Sequence, residues 1–333
     1  MRAMISRSAS TPLEARTLPS RALAGDEMRV RVRAIGVNPV DWKMREGGPL
    51  RFMQRILGPR GPFVVGVDFA GEVVEVGPVA GPFATGTRVV GGTDFSRGQH
   101  GSYADEVIVR PDQCAALPAA VTYESAACLP VAAVTAWIAL HEHRQLAPGM
   151  KVLVLGAAGG VGLAALQLTR RLGGRAVGVC STRNVALVEQ LGATAIDHTR
   201  GDALEQARAL GPFDLVLHTI GTGVYPLAPC RRLLAPSGLV ELVVVQPSDV
   251  PSLLFRRSVR TVLGRPTRAR LEPLVRALAE GALDPRIEAV FSLGDAEAAH
   301  VRSRGGKVVG KLLLVPEGAS TDLPLDARGP HGP

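Results

Sequence analysis

At 333 residues and 46% hydrophobic content the chain is long enough for two packed domains, and with aromatics at only 4% their cores must be filled by aliphatic side chains. No apolar run approaches the roughly 20 residues needed to span a bilayer, which excludes a membrane-spanning helix. The net charge of +8 is carried almost wholly by arginines standing singly or in pairs without interleaved aromatics, which argues against a nucleic-acid partner.

The first 21 residues are rich in arginine and serine, as transit peptides are, but 1–5 reads better as a first strand, and a cytoplasmic protein is expected. Short alternating or apolar runs follow at 28–35, 63–67, 71–76, 87–91 and 102–109, separated by glycine and proline. Strands at this spacing predict a compact barrel-like domain. The less regular stretch 45–61 reads as a helical lid or a loop over a pocket. Beyond Pro118 the character changes: 124–141 is a long alanine-rich helical pattern interrupted by Pro130.

From Lys151 strand and helix alternate: strands at 151–155, 175–180, 194–197, 214–218 and 238–244, helices at 161–172, 184–191, 202–209 and 226–234. This pattern predicts a doubly wound parallel sheet. A further helix is expected at 271–280, ended by Gly281, and late strands at 287–291 and 307–315 return to the β domain. Past Pro316 the composition is that of a disordered tail. The four cysteines, Cys114, Cys128, Cys180 and Cys230, stand far apart and form no C-x-x-C, so no zinc-ribbon spacing or disulfide framework is present.

The most informative stretch is 151–162, an apolar run ending in Gly156-Ala157-Ala158-Gly159-Gly160-Val161-Gly162 before a helix. Strand, tight turn and helix in that order leave backbone N–H groups at a helix N-terminus, where a phosphate can sit. About 20 residues on, Ser181-Thr182-Arg183-Asn184 follows the second strand. An acidic residue there would accept from a free ribose 2′-hydroxyl; Ser181 and Arg183 instead donate to a 2′-phosphate, so the reading is NADPH rather than NADH.

Several blocks occur in one order along 1–316: 37–43 (Val-Asn-Pro-Val-Asp-Trp-Lys), 66–72 (Gly-Val-Asp-Phe-Ala-Gly-Glu), 129–137 (Leu-Pro-Val-Ala-Ala-Val-Thr-Ala-Trp), 156–162, 180–184, 191–193 and Gly310-Lys311. Together they resemble the medium-chain dehydrogenase/reductase superfamily, on its zinc-free quinone oxidoreductase branch of NADPH-dependent enone reductases. The resemblance implies an α/β chain with a GroES-like β domain, 1–118 and 288–316, and a Rossmann doubly wound parallel-sheet domain, 119–287. The active site is then expected in the cleft, with 317–333 as the tail. Zinc-dependent relatives carry Cys where Asn38 stands, His where Val67 stands and a third ligand near Val131, so no metal is expected. Without a Lewis acid, hydride delivery to an already electrophilic carbon, in an enone or a quinone, remains feasible while alcohol oxidation does not.

The resemblance also distributes roles. The pyrophosphate lies over Ala158, Gly159, Gly160 and Val161. Thr135 lies near the nicotinamide, unless it is a helix-interior threonine bonding its own backbone. Asn38 stands near the nicotinamide ribose or the substrate oxygen, or only forms the turn before Pro39. Lys43 is expected near the nicotinamide end, where an ammonium can stabilise a developing enolate or supply a proton; the competing reading is a surface lysine paired with Asp41 on one strand face. His198 takes the place of a tyrosine beside the adenosine phosphate, and Gly310 and Lys311 return towards the cofactor. The substrate, a small hydrophobic enone or quinone, draws on Trp42, Met44, Phe52, Met53 and the loop after Val245. A homodimer through an edge strand at 239–245 is expected. A freestanding enoyl-thioester reductase of lipid or polyketide biosynthesis, and a non-catalytic NADPH-binding sensor, remain as alternatives.

Overall fold

The computed structural model describes residues 1–8, 11–59, 61–79 and 81–319. Two compact units emerge from chain contacts, one of 1–131 with 265 onward, the other of 132–264.

The first unit opens with β1 (Arg2–Ser6), β2 (Glu14–Thr17) and β3 (Met28–Val37), then α1 (Pro39–Glu46), α2 (Gly48–Leu57), β4 (Phe63–Val64), β5 (Asp68–Val76), β6 (Arg88–Gly92), β7 (Glu106–Val109), β8 (Cys114–Ala116) and α3 (Tyr123–Ala127). The second unit contains α4 (Val134–Trp137), β9 (Lys151–Leu155), α5 (Gly160–Arg171), β10 (Arg175–Cys180), α6 (Val185–Gln190), β11 (Thr194–Asp197), α7 (Ala203–Leu210), β12 (Phe213–His218), α8 (Leu227–Arg232), β13 (Leu234–Leu242), α9 (Val250–Phe255) and β14 (Val259–Thr261). The chain then returns to the first unit with α10 (Arg268–Ala279), β15 (Ile287–Ser292), α11 (Ala296–Arg304) and β16 (Lys311–Val315).

In the first unit β3 is the organising strand. Its first half pairs antiparallel with β5 and β7, and its last residues pair with β16, giving the order β15-β16-β3-β5-β6-β8. A separate three-stranded sheet runs β2-β1-β4. Both bury apolar side chains, mostly aliphatic, in one core that includes Met28, Val30, Ile35, Phe69, Val89, Tyr103 and Leu314. The second unit is a parallel sheet of order β11-β10-β9-β12-β13-β14, in which the direction of winding reverses beside β9. Helix α5 packs on β9 and β10, α6 and α7 on β11, α8 on β13 and α9 on β14, the helical cover that a parallel sheet requires.

Several expectations need correction. The return to the first unit comes at Arg265 rather than 288, because α10 packs on β8, with Arg268 donating to the carbonyls of Pro111 (2.8 Å) and Cys114 (3.4 Å). The late strand begins at Lys311, not 307, since Lys307 and Gly310 both have positive φ and break the extended backbone. Strand β7 starts at Glu106 rather than 102. Around Pro130 the helical pattern continues through wide π turns at 129–133 and 138–143, which accommodate a residue without an N–H. The proposed edge strand at 239–245 is interior: β13 is hydrogen-bonded to β12 and β14, and β14 ends the sheet. Most of the expected tail, from Ser320 on, lies outside the described residues.

Candidate active site

In the second unit the turn between β9 and α5 is built on glycines with distinct duties. Gly156 has φ +87°, and a Cβ there would meet Thr219 Oγ1 at 2.4 Å. A Cβ on Gly162 would lie 2.3 Å from the Gly156 carbonyl, so α5 can start this close to β9 only without a side chain. Gly159 differs: a Cβ would meet nothing nearer than that same carbonyl at 3.6 Å and would project into open space. No side chain caps α5 at Gly159. Ala158, Gly159, Gly160 and Val161 thus present backbone at a 12-residue helix N-terminus, an arrangement that fits a pyrophosphate.

Ser181 is the first residue after β10, its hydroxyl accepting from Asn184 Nδ2 at 3.2 Å, and Arg183 is exposed beside it. His198 follows β11, and its N–H donates to the Cys180 carbonyl (3.1 Å), which brings it to the same sheet edge. The nearby Asp197 carboxylate is already occupied by Thr182, Thr199 and Arg200. Thr135 is buried in α4. His218 is buried at the end of β12 and bonds the Tyr225 carbonyl at 2.9 Å; burial pushes its pKa down.

In the first unit a buried polar chain runs through residues far apart in sequence. Lys311 Nζ, at the start of β16, donates to Asn38 Oδ1 (2.6 Å) and to Asp68 Oδ2 (3.1 Å). Asn38 precedes α1, and its backbone N–H donates to Asp41 Oδ2 (2.8 Å), which also accepts from Tyr103 Oη (3.2 Å). His300 Nε2 lies 3.0 Å from Tyr103 Oη, and Arg45 Nη1 lies 2.9 Å from His300 Nδ1. A guanidinium can only donate, so Nδ1 accepts, Nε2 carries the proton and Tyr103 passes its own to Asp41. Arg45 also meets Glu297 (2.8 Å) and donates to the Thr11 carbonyl (2.8 Å), while its Nε is buried without a partner among the described residues. Two glycines make room: a Cβ on Gly36 would lie 2.7 Å from Asp68 Oδ2, and one on Gly66 (φ +102°) would lie 2.2 Å from the Tyr103 ring.

The electrostatics follow from burial. Desolvation, helped by the charge of Asp68, pushes Asp41 up to about 7 against the pull of the Asn38 N–H and Lys311. Asp68 is also raised by burial, with Lys311 and Asn38 opposing. Burial, and then Arg45, hold His300 down to about 3, in accord with the neutral tautomer that the hydrogen bonds require. Asp41 Oδ1 and Asp68 Oδ1 are buried without a partner among the described residues.

Lys43 lies on α1, not on a strand, so the expected pairing with Asp41 along a strand face does not arise; its Nζ stands 5.6 Å from the Trp42 ring centroid. Trp42 Nε1 donates to Ser303 Oγ (3.1 Å), Met44 is in the core, and Phe52 and Met53 are exposed. Gly310 (φ +81°) turns the chain into β16 against the Arg286 carbonyl. Nothing in the sequence groups Asp41, Arg45, Tyr103 and His300 into one site. The one local signal was an acid three residues after Asn38, the spacing that lets a carboxylate reach back to a helix-capping N–H.

This donor set does not suit zinc. Asn38 offers an amide oxygen already held by an ammonium, and Val67 and Val131 offer nothing. Among the described residues no group of three or more His, Cys, Asp or Glu is arranged to hold a metal.

Comparison with known proteins is consistent with both units. Residues 24–119 match the alcohol dehydrogenase GroES-like domain family, and 191–314 match the zinc-binding dehydrogenase family. The chain is 30% identical over 318 residues to the trans-enoyl reductase pgmF of Aspergillus terreus, covering 89% of this chain and 88% of that one. It is 27% identical over 304 residues to the chloroplastic quinone-oxidoreductase homolog of Spinacia oleracea, covering 87% and 90%. The solved quinone oxidoreductase from Coxiella burnetii superposes with a TM-score of 0.82 at 27% identity, over 94% of this chain and 98% of that one.

Proposed function

This chain belongs to the medium-chain dehydrogenase/reductase superfamily of oxidoreductases, and we propose that within it the protein is an NADPH-dependent reductase of activated C=C bonds, with quinones as further acceptors. The observation that carries the reaction class is the donor set around Asn38. An amide tied to the Lys311 ammonium offers no Lewis acid to polarise an alcohol, so the acceptor carbon must be electrophilic in its own right. The names of two relatives, a trans-enoyl reductase and a quinone-oxidoreductase homolog, support the same chemistry.

The chemistry that NADPH would supply when bound is a hydride for an electrophilic carbon, such as the β-carbon of an enone. The chain's own residues bind and orient. Ala158, Gly159, Gly160 and Val161 are assigned to the pyrophosphate, Ser181, Arg183 and His198 to the 2′-phosphate, and Thr135 to the nicotinamide end. Asn38 is assigned to orient ribose or substrate, with Gly310 and Lys311 as its support. Addition of hydride leaves negative charge on the carbonyl oxygen. Lys43, a half-buried ammonium, is the residue assigned to hydrogen-bond that oxygen and to provide the proton that ends on the α-carbon, a role water can share.

A second reading, reduction of an enoyl thioester, is favoured by the 30% identity to the trans-enoyl reductase. The test is loss of reduced-nicotinamide absorbance with NADPH or NADH against a linear enone, a para-quinone, an ortho-quinone, an enoyl thioester and a saturated ketone. Turnover of the enone with NADPH and none of the ketone is expected. Turnover of the thioester alone would move the assignment to the second reading, and NADPH binding without any turnover would favour a sensor.

A further inference from the structure

Helix α2 is amphipathic but packed the wrong way round. Along Gly48–Leu57 the polar positions Arg51, Gln54 and Arg55 lie on one arc and Phe52, Met53, Ile56 and Leu57 on the other. An ordinary surface helix turns its apolar arc to the core. Here Gln54 is the side chain driven inside, 5% exposed, and accepts from Arg51 Nη1 at 2.7 Å. Phe52 is 66% exposed, Ile56 64%, and Met53 and Leu57 45% each. Four large apolar side chains on two successive turns form one continuous face, unlike the single exposed hydrophobics normal on any protein.

Charge identifies what this face meets. Arg51 stacks over the Phe63 ring with its guanidinium carbon 4.2 Å from the centroid, and burial, followed by the neighbouring charge of Arg55, depresses its pKa. Arg51 donates to an amide, Gln54, and among the described residues neither arginine is paired with a carboxylate. Arg51 is turned inward to Phe63 and Gln54, which leaves Arg55 as the exposed cation beside the apolar face; on a chain of net charge +8, that pairing calls for a surface that is apolar within and anionic at its boundary. No helix among the described residues is long and apolar enough to cross a membrane, so the contact is lateral. We propose that α2 docks the protein on an anionic lipid surface, with Phe52, Met53, Ile56 and Leu57 entering the acyl boundary and Arg55 at the headgroups. This inference does not rest on the reductase reading, although an apolar quinone or enone dissolved in lipid would then be met at its source.

The test is co-sedimentation of the full chain with vesicles of phosphatidylglycerol in phosphatidylcholine, and with phosphatidylcholine alone. The chain is expected to pellet with the anionic vesicles and to be released by salt. The double variant Ile56→Ser/Leu57→Ser should lose roughly tenfold or more in vesicle affinity, given the apolar area withdrawn, and Arg55→Glu should weaken binding to the anionic vesicles alone. Thermal melts matching wild type show that these solvent-facing changes leave the fold intact. Wild type left in the supernatant, or unchanged binding by the double variant, overturns the proposal. So does a wild-type dimer that the double variant dissociates, which would make a second copy the occupant. Turnover of a water-soluble enone without vesicles is measured separately, so failure here leaves the reductase reading standing.

Discussion

Lys311 Nζ lies 2.6 Å from Asn38 Oδ1, joining the start of the last strand to the residue that opens α1, 273 positions earlier in the chain. The same ammonium neutralises Asp68 at 3.1 Å. Lys311→Met therefore abandons a buried carboxylate and releases the Asn38 amide together. Removing one partner of a buried pair costs about 3–5 kcal/mol. Adding Asp68→Asn should restore much of that loss, since the charge left behind is gone. Urea denaturation of wild type, both single variants and the double variant measures the coupling. A Lys311→Met protein as stable as wild type would remove this pair from the account of the fold.

Asp41 and His300 belong to one hydrogen-bonded chain and titrate in opposite senses. With its pKa raised to about 7, Asp41 keeps a proton that the unfolded chain has released, so its contribution to stability is full below about pH 4 and is lost as the pH rises through 7. His300, held down to about 3, refuses a proton that the unfolded chain accepts below about pH 6.5. Its contribution is full above that pH and is lost as the pH falls towards 3. Relative to wild type, Asp41→Asn should therefore gain stability between pH 4 and 7, and His300→Gln should gain it as the pH falls from 6.5. Each change is on the order of a few kcal/mol. Melting curves across that range decide it, and parallel profiles for both variants and wild type would refute the ionisation states described above.

Two glycines only three residues apart should fail in different ways. Gly162→Ala drives a methyl group to 2.3 Å from the Gly156 carbonyl, so the turn or the helix must move and the melting temperature should fall. Gly159→Ala meets nothing nearer than 3.6 Å and has ordinary φ, so the fold should tolerate it. Its methyl projects into the space assigned to the pyrophosphate, and dinucleotide affinity should drop roughly tenfold or more. Calorimetric titration beside a thermal melt separates the effects. Full affinity in a folded Gly159→Ala protein would move the phosphate site elsewhere.

What could be read beforehand was what repeats or punctuates. The parallel unit declared itself because each strand from 151 to 218 is a short apolar run followed by a helical period, and the observed β9, β10 and β11 match the expected bounds. The short β2, β8 and β14 escaped because three or four residues carry no period. The polar chain from Lys311 to Arg45 was hidden for another reason. A buried Asp or His has the same letter as an exposed one, and only packing brings residues 41, 103 and 300 together. Gly310-Lys311 is visible in the sequence as a pair, but the bonds of Lys311 to Asn38 and Asp68 depend on β16 lying beside β3, a pairing of the two chain ends. The inverted burial of α2 was equally hidden, since its period reports only that two faces differ.

The proposed preference for NADPH rests on two positions just after β10, Ser181 and Arg183. Ser181 offers a hydroxyl where an acid would bind a ribose 2′-hydroxyl, and Arg183 adds a positive charge two residues later. Ser181→Asp puts a carboxylate against a 2′-phosphate, exchanging a hydrogen bond for like-charge repulsion. The kcat/KM with NADPH should then fall roughly 10–100-fold while that with NADH holds or rises. Arg183→Leu removes attraction without adding repulsion, so it should weaken NADPH alone and leave NADH untouched. Measured on the same enone, the two variants separate recognition of the phosphate from damage to the turn, because damage would lower both cofactors together. An unaltered NADPH to NADH ratio in both variants would take the 2′-phosphate away from this edge of the sheet and leave His198, beside it at the end of β11, without the role assigned to it.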